Sequence, residues 1–420
     1  MEQEINENKT LKRAEILSPA GDMERLLTAI DFGADAVYLG GKSFGMRTSS
    51  NNFDESDLKK AVDFAHSKNV KVYLTCNTLP KNDEIKNLPG FIEDAKSAGI
   101  DAFIVADIGV FNLIKKLAPD VDIHVSTQAG VVNYLTANEF YNMGAKRVVL
   151  ARELSLEEIA EIREKTNKNL EIEAFVHGSM CVSFSGRCLL SSYLTSRDAN
   201  RGDCAQPCRW KYNLVEENRK GQYFPIVEED SGAYILNSRD LCMIEHLDKL
   251  VEAGVDSLKI EGRAKSAYYV AVTTNAYKKA LNDFYNCDGK WQVKNWMKDE
   301  LEKISHREYN TGFYFGNEPG QVYENGGYVR KYDVVGVCEG YENNMAIVSQ
   351  RNKFSKGEEL DVLEPKSDPF NIKIEKMYDE WHNEIDSAPH ATQKIFIPTG
   401  RKIKKGAYLR RRRKWSFKTE

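Results

Sequence analysis

Three stretches far apart in the chain share one grammar: DFGADAVYLGG at 31–41, SAGIDAFIVAD at 97–107 and EAGVDSLKIEG at 252–262. In each, a helical run stops at a glycine (Gly33, Gly99, Gly254), an aspartate stands two residues on, and a short apolar run begins. Glycine ends helices because it takes left-handed backbone angles without a Cβ clash. A continuous apolar run bounded by turn residues marks a strand buried on both faces. The same alternation runs from residue 15 to about 283, with strands expected at 16–18, 36–40, 70–75, 102–106, 123–126, 147–151, 172–176 and 257–260. Amphipathic helices fall between them, clearest at 56–67 and 155–165, the second opened by the capping signature Ser155, Glu157 and Glu158. Eight strands alternating with helices predict an α/β fold, a closed parallel (β/α)8 TIM-like barrel. An open doubly wound sheet is the alternative, but no Gly-x-Gly-x-x-Gly turn follows the first strand.

One interval breaks the rhythm. About 80 residues separate the seventh and eighth strands, far more than an ordinary β/α connection. They hold four of the eight cysteines, a further strand expected at 234–236 and a helix expected at 240–253. Beyond the barrel, short β segments are expected at 334–338, 345–349, 359–363, 372–377 and 394–397. The resulting division is a polar, disordered tail at 1–10, a barrel at 11–290 with a Cys-rich insertion at 177–232, a connecting segment at 291–331 and a small C-terminal β-barrel domain at 332–420.

Composition excludes some classes. With 41% hydrophobic and 29% charged residues and no apolar run of the roughly 18 residues a membrane span needs, the chain reads as soluble, with no membrane partner. The polar start lacks the apolar stretch of an export signal, so a cytoplasmic location is expected. Thiols stay reduced there, and eight cysteines are then ligands or core residues rather than disulfides. The net charge of −4 conceals a split: residues 401–420 carry ten Lys/Arg and one acid, leaving 49 basic and 62 acidic residues in the rest. A basic end on an acidic body suits an anionic partner, and the run 410–414 ending at Trp415 suits RNA phosphates and a stacked base. A solvated edge strand guarded by charge explains the same residues equally well.

The strongest chemical signal is Cys181, Cys188, Cys204 and Cys208, separated by six, fifteen and three residues. Four thiolates suit an iron–sulfur cluster or a structural zinc. The six-residue gap departs from zinc pairs and argues for iron–sulfur, and the polar, Gly-rich surroundings argue against thiols buried merely for packing. Cys76, Cys242, Cys287 and Cys338 are scattered and read as structural. A second signal is a polar residue just past most strands: Asn77, Asp107, Gln128, Arg152 with Glu153, His177, and Glu261 with Arg263. In a β/α barrel these positions converge on one mouth, where active sites lie. With Arg47, the arginines there suit a carboxylate- or phosphate-bearing ligand. Any one of these residues alone is more often a helix cap. Hydrolytic signatures are poor: there is no His-Glu-x-x-His motif, and Cys181 is better used among four clustered thiols than as a dyad with His177.

Residues 173–191 resemble the signature of the collagenase-like peptidase family U-32, supplied by Glu173, Phe175, Gly178, Ser179, Met180, Cys181, Gly186, Cys188, Leu190 and Ser191 without a departure. The phrases ILSPAG, YLGG, STQ, ARELS, RDLC and KIEGR are similar to its barrel motifs, and the likeness covers nearly the whole chain. The family name implies proteolysis. The branch that the length and C-terminal domain most resemble implies hydroxylation of the wobble uridine of tRNA, with prephenate as co-substrate. That resemblance implies an iron–sulfur cluster, 4Fe–4S, on Cys181, Cys188, Cys204 and Cys208, tRNA as partner and a paralogous subunit of the same family. It assigns no catalytic residues. On the barrel argument alone, Glu261, Arg263, Arg152, Glu153 and His177 are the catalytic candidates, and Arg47, Asn77 and Gln128 the candidates for holding a co-substrate. Peptidase and non-catalytic iron–sulfur scaffold are the rival readings.

Overall fold

A computed structural model describes residues 12–46, 52–181, 183–184, 188–199, 202–210, 213–215, 223–225, 238–316 and 328–413. The expected tail, the strand at 234–236, Arg47, Lys414 and Trp415 lie outside these residues. Strands β1 (Glu15–Pro19), β2 (Ala36–Gly40), β3 (Lys71–Cys76), β4 (Ala102–Val105), β5 (Asp122–Val125), β6 (Arg147–Val149) and β7 (Glu171–Ser179) run parallel in chain order. A short strand, β8 (Asp240–Cys242), lies antiparallel to the end of β7, and β9 (Ser257–Ile260) pairs in parallel with both β7 and β1. That double pairing closes the expected barrel, whose eight staves are β1–β7 and β9. The helices that pack outside include α1 (Met23–Asp31), α2 (Glu55–Ser67), α3 (Leu88–Ala98), α4 (Ile108–Leu117), α5 (Tyr134–Met143) and α6 (Leu156–Lys165).

The repeated Gly-x-Asp phrase has one physical meaning at all three places. Asp35, Asp101 and Asp256 each stand just before a strand and grip one residue of the neighbouring strand twice. Their backbone N–H groups donate to the carbonyls of Ile16, Val72 and Ile172. Their carboxylates accept the N–H of the same three residues at 2.8, 2.7 and 2.9 Å. Each pair of bonds sets the register of adjacent staves at the entry end of the barrel, where a slip would displace inward side chains.

The barrel interior is packed above and charged below. Leu17, Ala36, Tyr38, Tyr73, Ala102 and Ile104 form an apolar cluster inside the staves. Beneath it, Arg147 of β6 reaches Glu15 at 2.5 Å, Glu173 at 2.9 Å and Glu171 at 2.6 Å. Lys259 of β9 pairs with the other oxygen of Glu173 at 2.6 Å, and Ser257 and Tyr73 donate to Glu15. Glu173 is fully buried, Arg147 nearly so. Burial opposes ionisation of Glu173, but Lys259 and Arg147 outweigh it and hold the carboxyl below its ordinary range.

The expected helix at 240–253 is corrected at its start: 240–242 form β8, and the helix proper, α8, spans Leu247–Glu252. Asp240 is the reason. It is buried and accepts from Arg307 Nη2 at 2.6 Å and Arg307 N–H at 3.1 Å, so it is fixed beside the two-residue strand Tyr309–Asn310 rather than free to open a helix. A short helix in the insertion, α7 (Leu190–Thr195), precedes it, and α9 (Ala267–Tyr285) and α10 (Asn295–Leu301) follow.

The C-terminal domain is antiparallel: β10 (Tyr332–Glu342), β11 (Met345–Gln350), β12 (Glu359–Leu363), β13 (Phe370–Lys373), β14 (Lys394–Pro398) and β15 (Tyr408–Arg412). Their order, β13-β12-β15-β10-β11-β14, makes a half-barrel around Val335, Val348, Leu360, Val362, Ile395 and Leu409. The basic run is not an edge strand, because β15 pairs on both sides. Arg410 is fully buried and bonds Glu300 of α10 at 2.6 Å, Asp361 of β12 at 2.9 Å and the Tyr268 hydroxyl of α9 at 3.1 Å. Arg411 pairs with Glu358 and Arg413 with Asp333.

Glu173→Ala removes the carboxylate that faces Lys259 inside the barrel and one of the three that hold Arg147, and a loss of roughly 3–5 kcal/mol is expected in urea unfolding. The lowered pKa values of Glu171, Glu173 and Asp240 set the acid limit. Their stabilisation is complete above the ordinary values of 4.5 and 3.8 and disappears as pH falls through the lower folded values. Melting temperature is therefore expected to drop below about pH 4, and less steeply in Glu173→Gln than in the native chain. An unchanged acid profile in that variant removes Glu173 from the account.

Candidate active site

Two cavities open at the carboxyl ends of the staves and share Met46, Thr127, Gln128, Arg152 and Glu261. The inner one, 80 Å³, is floored by Lys259, Phe175 and Arg263 and walled by Asn77, Thr75 and Ser126. The outer one, 330 Å³, adds Glu153, Lys265 and Tyr328 and has all four clustered cysteines on its wall.

Each polar residue is held by the end of its own strand. Arg152, past β6, donates from Nη1 to the Ser179 carbonyl at 2.7 Å and lies over the Phe175 ring, 3.8 Å from its centroid. Arg263, past β9, is buried and donates to Thr75 Oγ1 at 2.7 Å. Space for it comes from Gly40, where a Cβ would fall 2.4 Å from Arg263 Nη1. Asn77 braces the loop, accepting from Met46 N–H at 3.2 Å and donating to Ser126 Oγ at 3.3 Å. Gln128 sits on a tight turn after β5, capped by the Ser126 hydroxyl. Asp107 is the helix cap of α4, accepting from Val110 N–H at 3.0 Å.

Arg152, Glu153, Glu261 and Arg263 are thus brought to one mouth, together with Asn77 and Gln128. His177 is not. It lines neither cavity, because β7 continues to Ser179 and its register against β9 shifts between Lys259 and Ile260. The ring instead packs among Tyr269, Tyr277 and Tyr309, with Nδ1 3.3 Å from the Tyr277 hydroxyl. Burial pushes its pKa down to about 3, with Asp240 only partly opposing. Arg47 lies outside the described residues.

Lys259, Thr75, Lys265 and Gly40 also contribute to the mouth, and none of them stands at a position that sequence pattern alone marks as functional. Lys259 and Thr75 are inward residues within strands, where they read as core; Gly40 ends an apolar strand. The only signal was a lysine inside the apolar run SLKI.

The four thiols belong to no disulfide. Cys204 Sγ accepts the Gln206 N–H at 3.3 Å, the kind of backbone contact that surrounds cluster-ligating sulfur. Arg197 and Asp203 bridge across the same loop at 2.7 Å. Among the described residues no three Cys, His, Asp or Glu side chains are already gathered at coordinating distance. The donor set on one wall, with an N–H directed at sulfur, nevertheless fits a thiolate-ligated cluster.

A hydrolytic arrangement is absent among these residues. Gly41–Lys42–Ser43–Phe44–Gly45 has the spacing of a serine nucleophile elbow, yet Ser43 is exposed and α2 begins only at Glu55. Cys181 faces the outer cavity, while His177 packs against α9.

The chain belongs to peptidase family U32. The family's main domain matches residues 21–323 and its C-terminal domain residues 330–410. The chain is 38% identical over 398 residues, covering 93% of each, to tRNA hydroxylation protein P1 of Bacillus subtilis. It is 32% identical to a collagenase of Porphyromonas gingivalis, covering 93% of this chain and 95% of that one. It is 38% identical over 316 residues to the 23S rRNA 5-hydroxycytidine C2501 synthase of Escherichia coli, covering 74% of this chain and 46% of that one. No helix among the described residues is long and apolar enough to cross a membrane.

A proton titration of histidine ring resonances is expected to show His177 neutral at every pH from 8 down to 5. Its resonances should shift only as pH approaches about 3. A midpoint near 6.5 means the ring reaches water and returns it to the list of acid–base candidates.

Proposed function

We propose that this protein hydroxylates the wobble uridine of tRNA at C5, with prephenate as co-substrate and an iron–sulfur cluster on Cys181, Cys188, Cys204 and Cys208. The observation that carries the reading is the end-to-end likeness to a protein named for tRNA hydroxylation, with a second relative named for hydroxylating an rRNA base. When bound, the cluster supplies electron transfer beside the mouth.

The remaining roles belong to the chain. Arg152 and Arg263, with Lys259 below them, present positive charge to a dicarboxylate in the inner cavity. Glu153 and Glu261 offer acceptors to the N–H of a base drawn out of its stack into the outer cavity. Phe175 beneath Arg152 fixes the guanidinium plane, so little ordering remains to be lost on binding. The collagenase relative keeps proteolysis as the rival, although the exposed Ser43 and the buried His177 give it no nucleophile–base pair.

Nucleoside mass spectrometry of bulk tRNA decides between them. Deletion of the gene is expected to remove hydroxyuridine-derived nucleosides. Unchanged nucleosides, in a genome with no second enzyme of this kind, return peptidase to first place. Arg152→Ala is expected to lower their yield about ten-fold or more while the melting temperature stays close to that of the native chain. Protein purified without oxygen is expected to be brown and to contain iron and labile sulfide, both reduced by each Cys→Ala change. Stoichiometric zinc without sulfide overturns the cluster.

A further inference from the structure

A third cavity, 330 Å³, continues from the outer one. The two share Ala264, Lys265 and Tyr328, and the third leads over Tyr268 and Lys303 to Arg330 and Tyr332 at the threshold of the C-terminal domain. We propose that this groove carries the single-stranded RNA next to the base held in the mouth, with tyrosines stacking bases and Lys265 and Arg330 meeting phosphates. The inference rests on the function proposed above and replaces the basic C-terminal run as the seat of binding.

Three observations carry it. The first is pattern. Tyr328, Arg330 and Tyr332 alternate along an extended segment, with Val329 bridged to His306 and Tyr332 opening β10. A period of two puts all three on one face, and all three line the groove. Aromatic, cation, aromatic on one face is what sequence-tolerant single-strand binding uses.

The second is charge. Residues 1–400 hold 49 basic and 62 acidic side chains, yet none of the described residues lining this groove is acidic. Lys265 lies 4.7 Å from the Tyr328 ring centroid and 5.5 Å from that of Tyr269, so cation and ring form one stacking platform. Arg330 is exposed and its Nε donates to Ser305 Oγ at 3.2 Å, which leaves the far end of its fork toward solvent. By contrast Arg410, Arg411 and Arg413 of the basic run have their charge engaged by Glu300, Asp361, Glu358 and Asp333.

The third is continuity. A base in the outer cavity has neighbours on its strand, and they must leave past the rim. Lys265 and Tyr328 form the part of the rim that opens into a further cavity rather than ending at a wall.

The test uses the full chain and an anticodon stem–loop RNA containing the target uridine, with affinity measured by fluorescence anisotropy across a salt series. Tyr328→Ala is expected to weaken binding roughly five-fold or more, and Tyr328→Phe to restore it. Arg330→Glu is expected to weaken it at low salt and to flatten the logarithmic salt slope by about 0.7 or more. Arg412→Glu, outside the groove, is expected to change neither. Photocrosslinking of native protein to stem–loops bearing 4-thiouridine beside the target is expected to label Tyr328 or Tyr332, independently of whether a variant folds. Full affinity in both Tyr328→Ala and Arg330→Glu, or crosslinks confined to residues 401–413, overturns the groove while leaving the hydroxylation reading intact. Absence of RNA binding by native protein together with unchanged tRNA nucleosides overturns both.

Discussion

The barrel depends on a carboxylate that water never reaches. Glu173 stands inside the closed sheet between Lys259 of β9 and Arg147 of β6, and Arg147 continues to Glu15 of β1 and Glu171 of β7. Four staves are thus tied across the interior by charge rather than by side-chain volume. Such a network is a weak source of net stability, because desolvation offsets much of the attraction. Its effect is geometric: the strands whose far ends carry Arg152, Glu261 and Arg263 cannot rotate or slip without unpairing a buried ion. Lys259 also floors the inner cavity, so the network that fixes the staves is continuous with the positive surface offered to a ligand.

The mouth shows how one strand can serve two purposes. As far as Phe175, β7 behaves as a stave, with Glu173 in the network and Phe175 under Arg152. Beyond it the register shifts, Gly178 takes a φ of 111°, and the strand pairs with β8 instead of continuing the barrel wall. A Cβ on Gly178 would fall 2.7 Å from the Glu261 carbonyl, so the close approach of the two strand ends requires glycine there. This departure delivers Cys181 to the outer cavity and turns His177 outward among tyrosines.

The staves were legible because each carries its own local signal: an apolar run, a glycine stop and an aspartate with a defined partner on the neighbouring strand. The four cysteines were legible for a similar reason, being a rare residue type concentrated in one segment. His177 lies away from the mouth that the sequence suggests because a register shift is a property of a strand pair and leaves no mark on either strand alone. Lys259 is hidden in the sequence because a lysine in a short apolar run is indistinguishable from a solvated one until closure brings Glu173 beside it. Arg410 illustrates the same limit from the other side. In sequence it is one of ten cations near the end of the chain; in the fold it is among the most buried, since Glu300 and Asp361 come from elements 110 and 49 residues away.

Arg410 also decides what the C-terminal domain can do. A domain on a loose tether adds local concentration but cannot set the path of a bound strand. Here the guanidinium binds α9, α10 and β12 at once, and Tyr408 packs 6.1 Å from Phe32 of the barrel. Leu363 and Tyr408 belong to the barrel's own apolar core. The half-barrel is therefore joined to the barrel through a buried, ion-paired contact. The segment carrying Tyr328, Arg330 and Tyr332 runs beside that contact and enters β10. Because the junction is packed, the spacing from these rings to Arg152 and Glu261 is set by the fold rather than by a hinge. A substrate that fills both places must match that spacing, so under the proposed function selection would act on the length and flexibility of the RNA strand beside the base in the mouth. A peptide lacks the regularly spaced phosphates that Lys265 and Arg330 would meet, whereas a looped single strand of RNA presents them beside unstacked bases.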